Sequence, residues 1–280
     1  NANGFKIISE NKAGIKGGLR LSYATLGAFT KYPRKSVLDK KSGHIKDKKY
    51  GFFHSQNTFF DEVANELGMV DSNGEYMRHP LAYLVEAADD ICYTLIDFED
   101  GINLGWISEE YALEFLIRLV KDSIDTKKYN SLKHKTDRVA YLRALSVNTL
   151  INDTVKIFLA NEEKILNGQF TKTILSESVF KAQMKDIIDI SVRKVYNSKE
   201  VIEKELKGYQ VIHKLLSVFI KASVNNQSDN TTALDDLVLS SLPQAYIHKD
   251  GNLYDQLLDI SCFVASLTDG NALEWYNKIS

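Results

Sequence analysis

Residues 80–103 read PLAYLVEAADDICYTLIDFEDGIN, and the architecture of the chain follows from this run. Pro80 suits the first turn of a helix, where its missing amide hydrogen is not needed. Apolar residues then recur three and four positions apart, as they do along the buried side of an amphipathic helix. The predicted apolar face consists of Leu84, Ala88, Ile91, Cys92 and Leu95. The run therefore predicts one long helix with a buried side.

A second pattern on the same predicted helix consists of acids and a phenol. Asp89, Tyr93 and Asp97 are spaced four residues apart, so they project from one side of the helix, and Glu86 and Asp100 flank that side. Acidic residues commonly mark a solvated face, and this interpretation remains open on spacing alone. In the other interpretation one carboxylate binds a hard divalent cation, while the phenol and the second carboxylate contact a ligand beside it.

The other ligands that such a cation needs are not obvious in the sequence. Cys92 and Cys262 lie in apolar helical patterns, which excludes a disulfide framework and a cysteine-based zinc site. The histidines form neither a His-Asp dipeptide nor a His-x-x-x-His pair. They are His44, His54, His79, His134, His213 and His248. We therefore expect any metal site to be completed by residues outside this chain, and we expect a reduced setting.

The rest of the chain also predicts helices. Only 3 of its 280 residues are proline, and apolar residues recur at helical spacing almost throughout. The polar segment 223–232 predicts a surface loop. The expected helices lie near residues 2–10, 56–68, 80–103, 108–124, 137–167, 176–195, 199–223, 232–241, 251–267 and 269–279. The predicted fold class is all-α.

Composition and charge restrict the functional classes. The chain has 35 Lys and Arg against 37 Asp and Glu, a formal net charge of -2, which excludes a generally basic nucleic-acid coat. Hydrophobic residues make up 44% of the chain, enough for a large buried core. No run of about 18 apolar residues occurs, so the sequence predicts neither a membrane span nor a signal peptide. These features predict a folded cytoplasmic protein.

Longer motifs carry a resemblance to a known family. The strongest is HPLAYLVEAADDICY at residues 79–93, which continues through IDFED at 96–100. Further matching segments are LSYATLGAFTKYP at 21–33, KYGFF at 49–53, RALSVNTLI at 143–151, 195–209 and ASLTDGNA at 265–272. Together these segments resemble the bacterial deoxyguanosine triphosphate triphosphohydrolases (dGTPases) of the HD-domain superfamily. The resemblance covers essentially the whole chain.

This resemblance implies an HD-domain-type helical bundle with additional C-terminal helices. Residues 1–125 would be the C-terminal part of the catalytic core, including the metal-ligand helix 80–103. Residues 126–280 would complete the nucleotide site and form oligomer contacts. The family's His and His-Asp metal ligands, and its proposed catalytic His and Glu, precede the segments matched here. We therefore expect the sequence to be the C-terminal part of such an enzyme and to be inactive alone.

The resemblance also assigns roles on the central helix. It makes Asp89, rather than Asp90, a ligand of Mn²⁺ or Mg²⁺, and the shared face with Tyr93 and Asp97 agrees with that choice. In such an enzyme Tyr93 packs on the deoxyribose and its bulk disfavours a 2′-hydroxyl. Asp97 accepts a hydrogen bond from the 3′-hydroxyl. The expected products are a deoxynucleoside and intact triphosphate.

Other predicted contacts concern the phosphates and the base. Residues 31–49 hold eight Lys or Arg against two Asp, and a basic surface loop explains most of them. The residues that match phosphate-binding positions of the family are Lys31, Tyr32, Lys49 and Asn1. Tyr196 and Glu205 match positions near the base, with Glu205 able to accept a hydrogen bond from guanine. Without the resemblance, both are ordinary helix-surface residues.

Two functional classes remain open. The first is the metal-dependent hydrolysis of dGTP, or of other deoxynucleoside triphosphates. The alternative is a non-catalytic nucleotide-sensing or nucleic-acid-binding helical module. The joint presence of Asp89, Tyr93 and Asp97 favours the hydrolase, because a sensor would not need the metal-binding carboxylate. By resemblance we also expect a homo-oligomer, specifically a hexamer, and regulation by single-stranded DNA or a nucleotide, with no membrane partner.

Overall fold

The computed structural model describes residues 1–10, 19–36, 49–246 and 252–279. In these ranges every regular element is helical, apart from two isolated bridges that join Lys35 to Phe52 and Val70 to Tyr76. The predicted all-α class is confirmed, and the arrangement is consistent with an HD-type bundle. His44 and His248, with the lysines at 40, 41, 46 and 48, lie outside the described residues.

Thirteen α-helices are present in the described ranges. They are α1 (Ala2–Ser9), α2 (Tyr23–Phe29), α3 (Asn57–Glu66), α4 (Pro80–Asn103), α5 (Glu109–Val120), α6 (Thr126–Ser131), α7 (Lys135–Ala160), α8 (Glu162–Leu166), α9 (Lys181–Ser191), α10 (Lys199–Gln227), α11 (Ala233–Ser240), α12 (Leu253–Ser266) and α13 (Asp269–Ile279). None of the described helices is both long enough and apolar enough to cross a bilayer.

Helix α4 begins and ends where the sequence pattern predicts. His79 caps its first turn, since the ring nitrogen Nδ1 accepts a hydrogen bond from the Leu81 amide at 3.2 Å. Burial lowers the pKa of His79, which favours the neutral ring that this acceptor role needs. Pro80 follows at the first helical position. Local capping therefore fixes the register of the whole helix.

The buried face of α4 differs in part from the predicted one. Ile91 and Leu95 are buried as expected, but Ala88 and Cys92 are exposed. The buried residues of α4 are Ala82, Tyr83, Glu86, Ala87, Ile91, Thr94, Leu95, Phe98, Gly101 and Ile102. Ala88 and Cys92 carry little apolar surface, so the larger Phe98 and Ile102 determine which side packs against α7 and α9.

The exposed side of α4 is nevertheless apolar. Its exposed residues at helical spacing are Leu81, Val85, Ala88, Cys92 and Ile96, and we call this set the α4 stripe. Leu81 is 48% exposed and Ile96 is 44% exposed. Contiguous exposed apolar surface is typical of interaction sites on soluble proteins.

The chain divides into two compact units, Asn1–Ser198 and Lys199–Ser280. In the first unit α4, α5, α7 and α9 enclose the main core, and a second core of Phe5, Phe52 and Phe60 packs together with apolar residues of α2 and α3. In the second, α10 packs against α11, α12 and α13. The functional division at 125/126 stays a prediction.

Several predicted boundaries were wrong. Helix α10 continues to Gln227, so residues 223–227 of the predicted loop are helical. Their polar groups find partners in the second unit, because Ser223 bonds Gln256 at 2.9 Å and Asn225 donates to Asp235 at 3.0 Å. The single helix expected at 137–167 is broken at Asn161. Helix α6 was not predicted, although Asp125 caps it by accepting two backbone amides.

Candidate functional site

The central feature of the site is an ion pair between Lys31 and Asp89. The Lys31 ammonium donates a hydrogen bond to the Asp89 carboxylate. Lys31 lies just after α2, where Thr30 ends the helix and its hydroxyl donates to the Leu26 carbonyl at 2.8 Å. The Lys31 side chain is mostly covered, whereas Asp89 is partly exposed. The structure therefore joins a predicted phosphate-binding cation to the predicted metal-binding carboxylate.

Lys49 reaches the same place from a second segment. Its ammonium lies 5.9 Å from the centre of the Tyr32 ring. The two segments touch through Gly51, whose amide donates to the Arg34 carbonyl at 2.9 Å. A Cβ atom at position 51 would overlap the Tyr32 carbonyl oxygen, so glycine is what allows this close approach. Residues 31, 32 and 49, separate in sequence, are thus brought together.

Tyr32 also contacts a buried ion pair that the sequence analysis missed. Its hydroxyl lies 3.4 Å from Glu86 Oε1, and Glu86 Oε2 accepts a hydrogen bond from Arg78 Nη2 at 2.9 Å. Burial and the neighbouring Glu86 charge raise the pKa of Tyr32, so the phenol stays neutral. The sequence pattern of α4 placed Glu86 beside the acidic face, and only the apolar residues next to it in sequence indicated that it could be buried. Nothing in the sequence pointed to Arg78.

Asp97 meets Tyr196 at the other end of the acidic face. The Tyr196 hydroxyl donates a hydrogen bond to the Asp97 carboxylate. Burial, this hydrogen bond and the Asp97 charge raise the pKa of Tyr196 to about 12, so the phenol remains a donor at neutral pH. Of the predicted base contacts, this one lies directly beside a predicted sugar contact.

A π-helical turn at Val192–Tyr196 carries Tyr196 to this position. The turn packs against α4 at Gly101, where an added Cβ would lie 2.6 Å from the Val195 side chain. Glycine at 101 therefore lets the turn approach α4 closely enough for Tyr196 to reach Asp97. π-helical turns are frequent at functional sites.

The remaining predicted residues are not joined to this group by any described contact. Tyr93 is 64% exposed on α4, between Asp89 and Asp97. Asn1 is exposed at the start of α1, and its side chain makes no capping hydrogen bond. Glu205 is exposed on α10 in the second unit.

Asp89 alone fits one part of a divalent metal site. Its carboxylate oxygens are the donors that Mg²⁺ and Mn²⁺ prefer. Among the described residues, however, no group of three or more His, Cys, Asp or Glu side chains could hold a metal ion. The partner of Asp89 here is the Lys31 ammonium, which neutralises the carboxylate. The described residues therefore supply one candidate ligand and not a complete site.

Comparison with known proteins identifies the family. A deoxyguanosinetriphosphate triphosphohydrolase-like protein of Synechocystis sp. is 31% identical over 289 aligned residues, which include 100% of this chain and 64% of the relative. One of Pseudomonas aeruginosa is 30% identical over 100% of this chain and 65% of its own length. The chain belongs to the deoxyguanosinetriphosphate triphosphohydrolase family.

Further comparisons define the extent of this similarity. A deoxyguanosinetriphosphate triphosphohydrolase of Serratia proteamaculans is 30% identical over 72% of this chain and 43% of the relative. The chain thus spans less than two thirds of the length of the family members it matches. No family model matches the chain. The resemblance drawn from the motif at 79–93 is confirmed by these relatives.

Proposed function

We propose that the protein is a nucleotide triphosphohydrolase that converts dGTP, or another deoxynucleoside triphosphate, to deoxynucleoside and triphosphate with Mn²⁺ or Mg²⁺. The observation that carries the proposal is the meeting of Lys31 with Asp89, beside Tyr32 and Lys49. The two ammonium groups complement the negative charge of a triphosphate, and the carboxylate of Asp89 could bind the divalent ion that accompanies it. The names of the relatives point to the same chemistry.

The two lysines bind the triphosphate in this proposal. A triphosphate carries several negative charges, and charge-assisted hydrogen bonds from ammonium groups are among the strongest contacts available to it. Lys31 would exchange one carboxylate oxygen of Asp89 for a phosphate oxygen. That exchange frees Asp89 to act as a metal ligand. A bound divalent ion would supply Lewis-acid activation of the phosphate.

Tyr93 and Asp97 recognise the sugar. The exposed Tyr93 ring closes over the deoxyribose and leaves no room for a 2′-hydroxyl. Asp97 accepts a hydrogen bond from the 3′-hydroxyl while it keeps the bond from Tyr196, because a carboxylate has about four acceptor positions. Tyr196 would also contact the base. The roles of Asn1 at the phosphate and of Glu205 at the base stay predictions from the family resemblance.

The proposal requires further metal ligands and proton-transfer groups beyond the described residues. Protein that brings them to Asp89 would also cover the α4 stripe, which runs along the same helix. We therefore expect the 280-residue chain alone to be inactive and to aggregate, because its apolar stripe would be open to solvent. A hexameric homo-oligomer, a cytoplasmic location and a single-stranded DNA or nucleotide effector remain parts of this proposal.

The test is the product formed by the full-length protein. It would be incubated with each deoxynucleoside triphosphate and ribonucleoside triphosphate in turn, with Mn²⁺ or Mg²⁺, and the products separated by anion-exchange chromatography. We expect free triphosphate and a deoxynucleoside, and no activity from the 280-residue chain. Release of orthophosphate or pyrophosphate would contradict the reaction. Nucleotide binding without turnover would favour the non-catalytic sensing module instead.

A further inference from the structure

The pair formed by Arg78 and Glu86 is almost completely removed from solvent. Their side chains are 2% and 7% exposed, and Arg78 Nη2 lies 2.9 Å from Glu86 Oε2. The Nε and Nη1 atoms of Arg78 are buried with no hydrogen-bond partner among the described residues. Burying two charges is costly, and apolar residues of similar size often stabilise a fold as well or better. Stability alone therefore does not account for this pair.

The position of the pair connects it to the phosphate-binding residues. Glu86 and Asp89 lie one turn apart on α4. Tyr32 contacts Glu86, and the adjacent Lys31 contacts Asp89. The segment that follows α2 is thus attached to α4 at two neighbouring points. Lys49 in turn lies over the ring of Tyr32. Any shift of Tyr32 would move both lysines.

Arg78 holds Glu86 in the orientation that this contact needs. Its guanidinium carbon lies 4.2 Å from the centre of the Tyr83 ring, and Nη2 also lies 3.5 Å from the Ala82 carbonyl oxygen. Tyr83 is fixed from its other end, since its hydroxyl donates to the Phe170 carbonyl at 2.6 Å. The guanidinium is therefore held on α4 by the Tyr83 ring, the Ala82 carbonyl and the Glu86 carboxylate. A confined cation fixes the carboxylate it binds.

We propose that Arg78 and Glu86 are positioning residues, which hold Tyr32 and thereby set the spacing of Lys31 and Lys49 for a triphosphate. This inference rests on the proposed function. Neither residue touches the substrate, because both are buried. The hydroxyl of the buried Tyr32 faces Glu86. The role expected for Tyr32 as a direct phosphate ligand is the competing interpretation.

The first experiment removes the pair without leaving a buried charge. The full-length double variant Arg78→Met/Glu86→Leu replaces it with apolar side chains, which buried sites tolerate. We expect KM for the preferred nucleotide to rise about tenfold while kcat changes less than about threefold, because uniform substrate binding is what is lost. The melting temperature should stay close to that of the wild type.

A matched control uses another Arg–Glu pair of the same unit. Arg138 and Glu109 lie 2.6 Å apart and are half-buried, and none of the contacts described for them involves the candidate site. The variant Arg138→Met/Glu109→Leu removes the same two charges, and we expect its KM to equal that of the wild type. An unchanged KM in a folded Arg78→Met/Glu86→Leu variant, or an equal rise in the control, would overturn the proposal.

Tyr32→Phe decides between positioning and direct phosphate binding. It removes one oxygen atom, and we expect KM to rise several-fold in the wild-type background, since contacts in one network are not additive. In the Arg78→Met/Glu86→Leu background the same change should have no further effect. A full additional rise there would mean that the hydroxyl binds phosphate itself. If the double variant does not fold, an unchanged KM in Tyr32→Phe alone overturns the proposal.

Hydrogen–deuterium exchange separates this inference from the proposed function. If the wild type hydrolyses no nucleotide, the proposed function fails, but the positioning of Tyr32 can still be measured. We expect residues 30–36 and 49–53 to exchange faster in Arg78→Met/Glu86→Leu than in the wild type or the Arg138→Met/Glu109→Leu control. Equal exchange in all three proteins would contradict positioning, whether or not the protein is an enzyme.

Discussion

The Tyr196 hydroxyl donates a hydrogen bond to the carboxylate of Asp97 across 99 positions of sequence. The contact joins Tyr196, which is predicted to lie near the base, to Asp97, which is predicted to bind the 3′-hydroxyl of the sugar. It also leaves the remaining lone pairs of Asp97 free for a second donor. The orientation of the carboxylate is therefore set before any ligand binds, which reduces the ordering that binding would have to impose.

The role of this contact can be measured with Tyr196→Phe. Loss of one donor should let Asp97 rotate, and we expect kcat/KM for a deoxynucleoside triphosphate to fall about three- to tenfold, the effect of a modest hydrogen bond. The 2′,3′-dideoxynucleotide lacks the hydroxyl that Asp97 binds, so its kcat/KM should change little. An equal loss with both nucleotides would show that Tyr196 does not act through Asp97.

Asp89→Ala and Asp90→Ala test which carboxylate faces the metal. Asp89 contacts Lys31, whereas Asp90 is turned about 100° away around the helix. We expect Asp89→Ala in the full-length protein to abolish both turnover and binding of Mn²⁺, measured by isothermal titration calorimetry. Asp90→Ala should retain measurable activity. If both variants behaved like the wild type, the acidic face of α4 would be structural only.

Sugar discrimination is predicted to depend on Tyr93 and Asp97. Tyr93→Ala should relax the rejection of GTP relative to dGTP. Asp97→Asn should weaken the use of dGTP about ten- to a hundredfold, because a hydrogen bond to a charged acceptor contributes roughly 1.5–3 kcal/mol. Steady-state kinetics of both variants on dGTP, GTP and the dideoxy analogue would measure this. Unchanged ratios in both would mean that neither residue reads the sugar.

The single change at Glu86 should destabilise the fold much more than the double change at Arg78 and Glu86. Glu86→Leu alone leaves a buried guanidinium without its counter-ion, and we expect the free energy of unfolding to fall by about 3–5 kcal/mol. Adding Arg78→Met should recover most of that loss. Urea denaturation of the three proteins would measure it. A double variant as unstable as Glu86→Leu would mean that the ion pair itself stabilises the fold.

Gly101→Ala probes the close packing beneath Tyr196. The added Cβ would lie 2.6 Å from Val195 Cγ2 and 2.9 Å from Ile107 Cδ1, so both side chains must move. Overpacking of this kind costs about 1–3 kcal/mol. Gly208→Ala on α10 is the control, because nothing lies within 4 Å of its added Cβ and alanine favours a helix by about 0.5–1 kcal/mol. In denaturant unfolding, we therefore expect the free energy of unfolding to fall in Gly101→Ala and to rise in Gly208→Ala. Equal changes in the two variants would contradict close packing at Gly101.

Local features of α4 were predictable and long-range contacts were not. The ends of the helix follow from His79 and Pro80, and the spacing of Asp89, Tyr93 and Asp97 fixes their common side. These properties depend on neighbours in sequence. The resemblance of the motif at 79–93 could add residue roles, but no pattern predicts that Lys31 meets Asp89 across 58 positions.

Burial was the property that the sequence predicted least well. Cys92 looked like a core residue and is exposed, whereas Glu86 looked like a surface acid and is buried. Each outcome depends on what packs against α4, since Arg78 compensates the charge of Glu86 while larger apolar residues occupy the core in place of Cys92. Helix α10 likewise extends through polar residues whose hydrogen-bond partners, Gln256 and Asp235, lie on other helices.

The π turn at Val192–Tyr196 holds one residue more than a regular turn would contain, as the bond from the Asn197 amide to the Val192 carbonyl records. Deleting one residue there would restore ordinary helical bonding and rotate the chain that follows by about 100°. Tyr196 would then point away from Asp97 even though the helix had become more regular. The number of residues in this turn therefore determines the direction in which Tyr196 points. A chain shortened by one residue would gain regular helical hydrogen bonds and lose the contact between Tyr196 and Asp97.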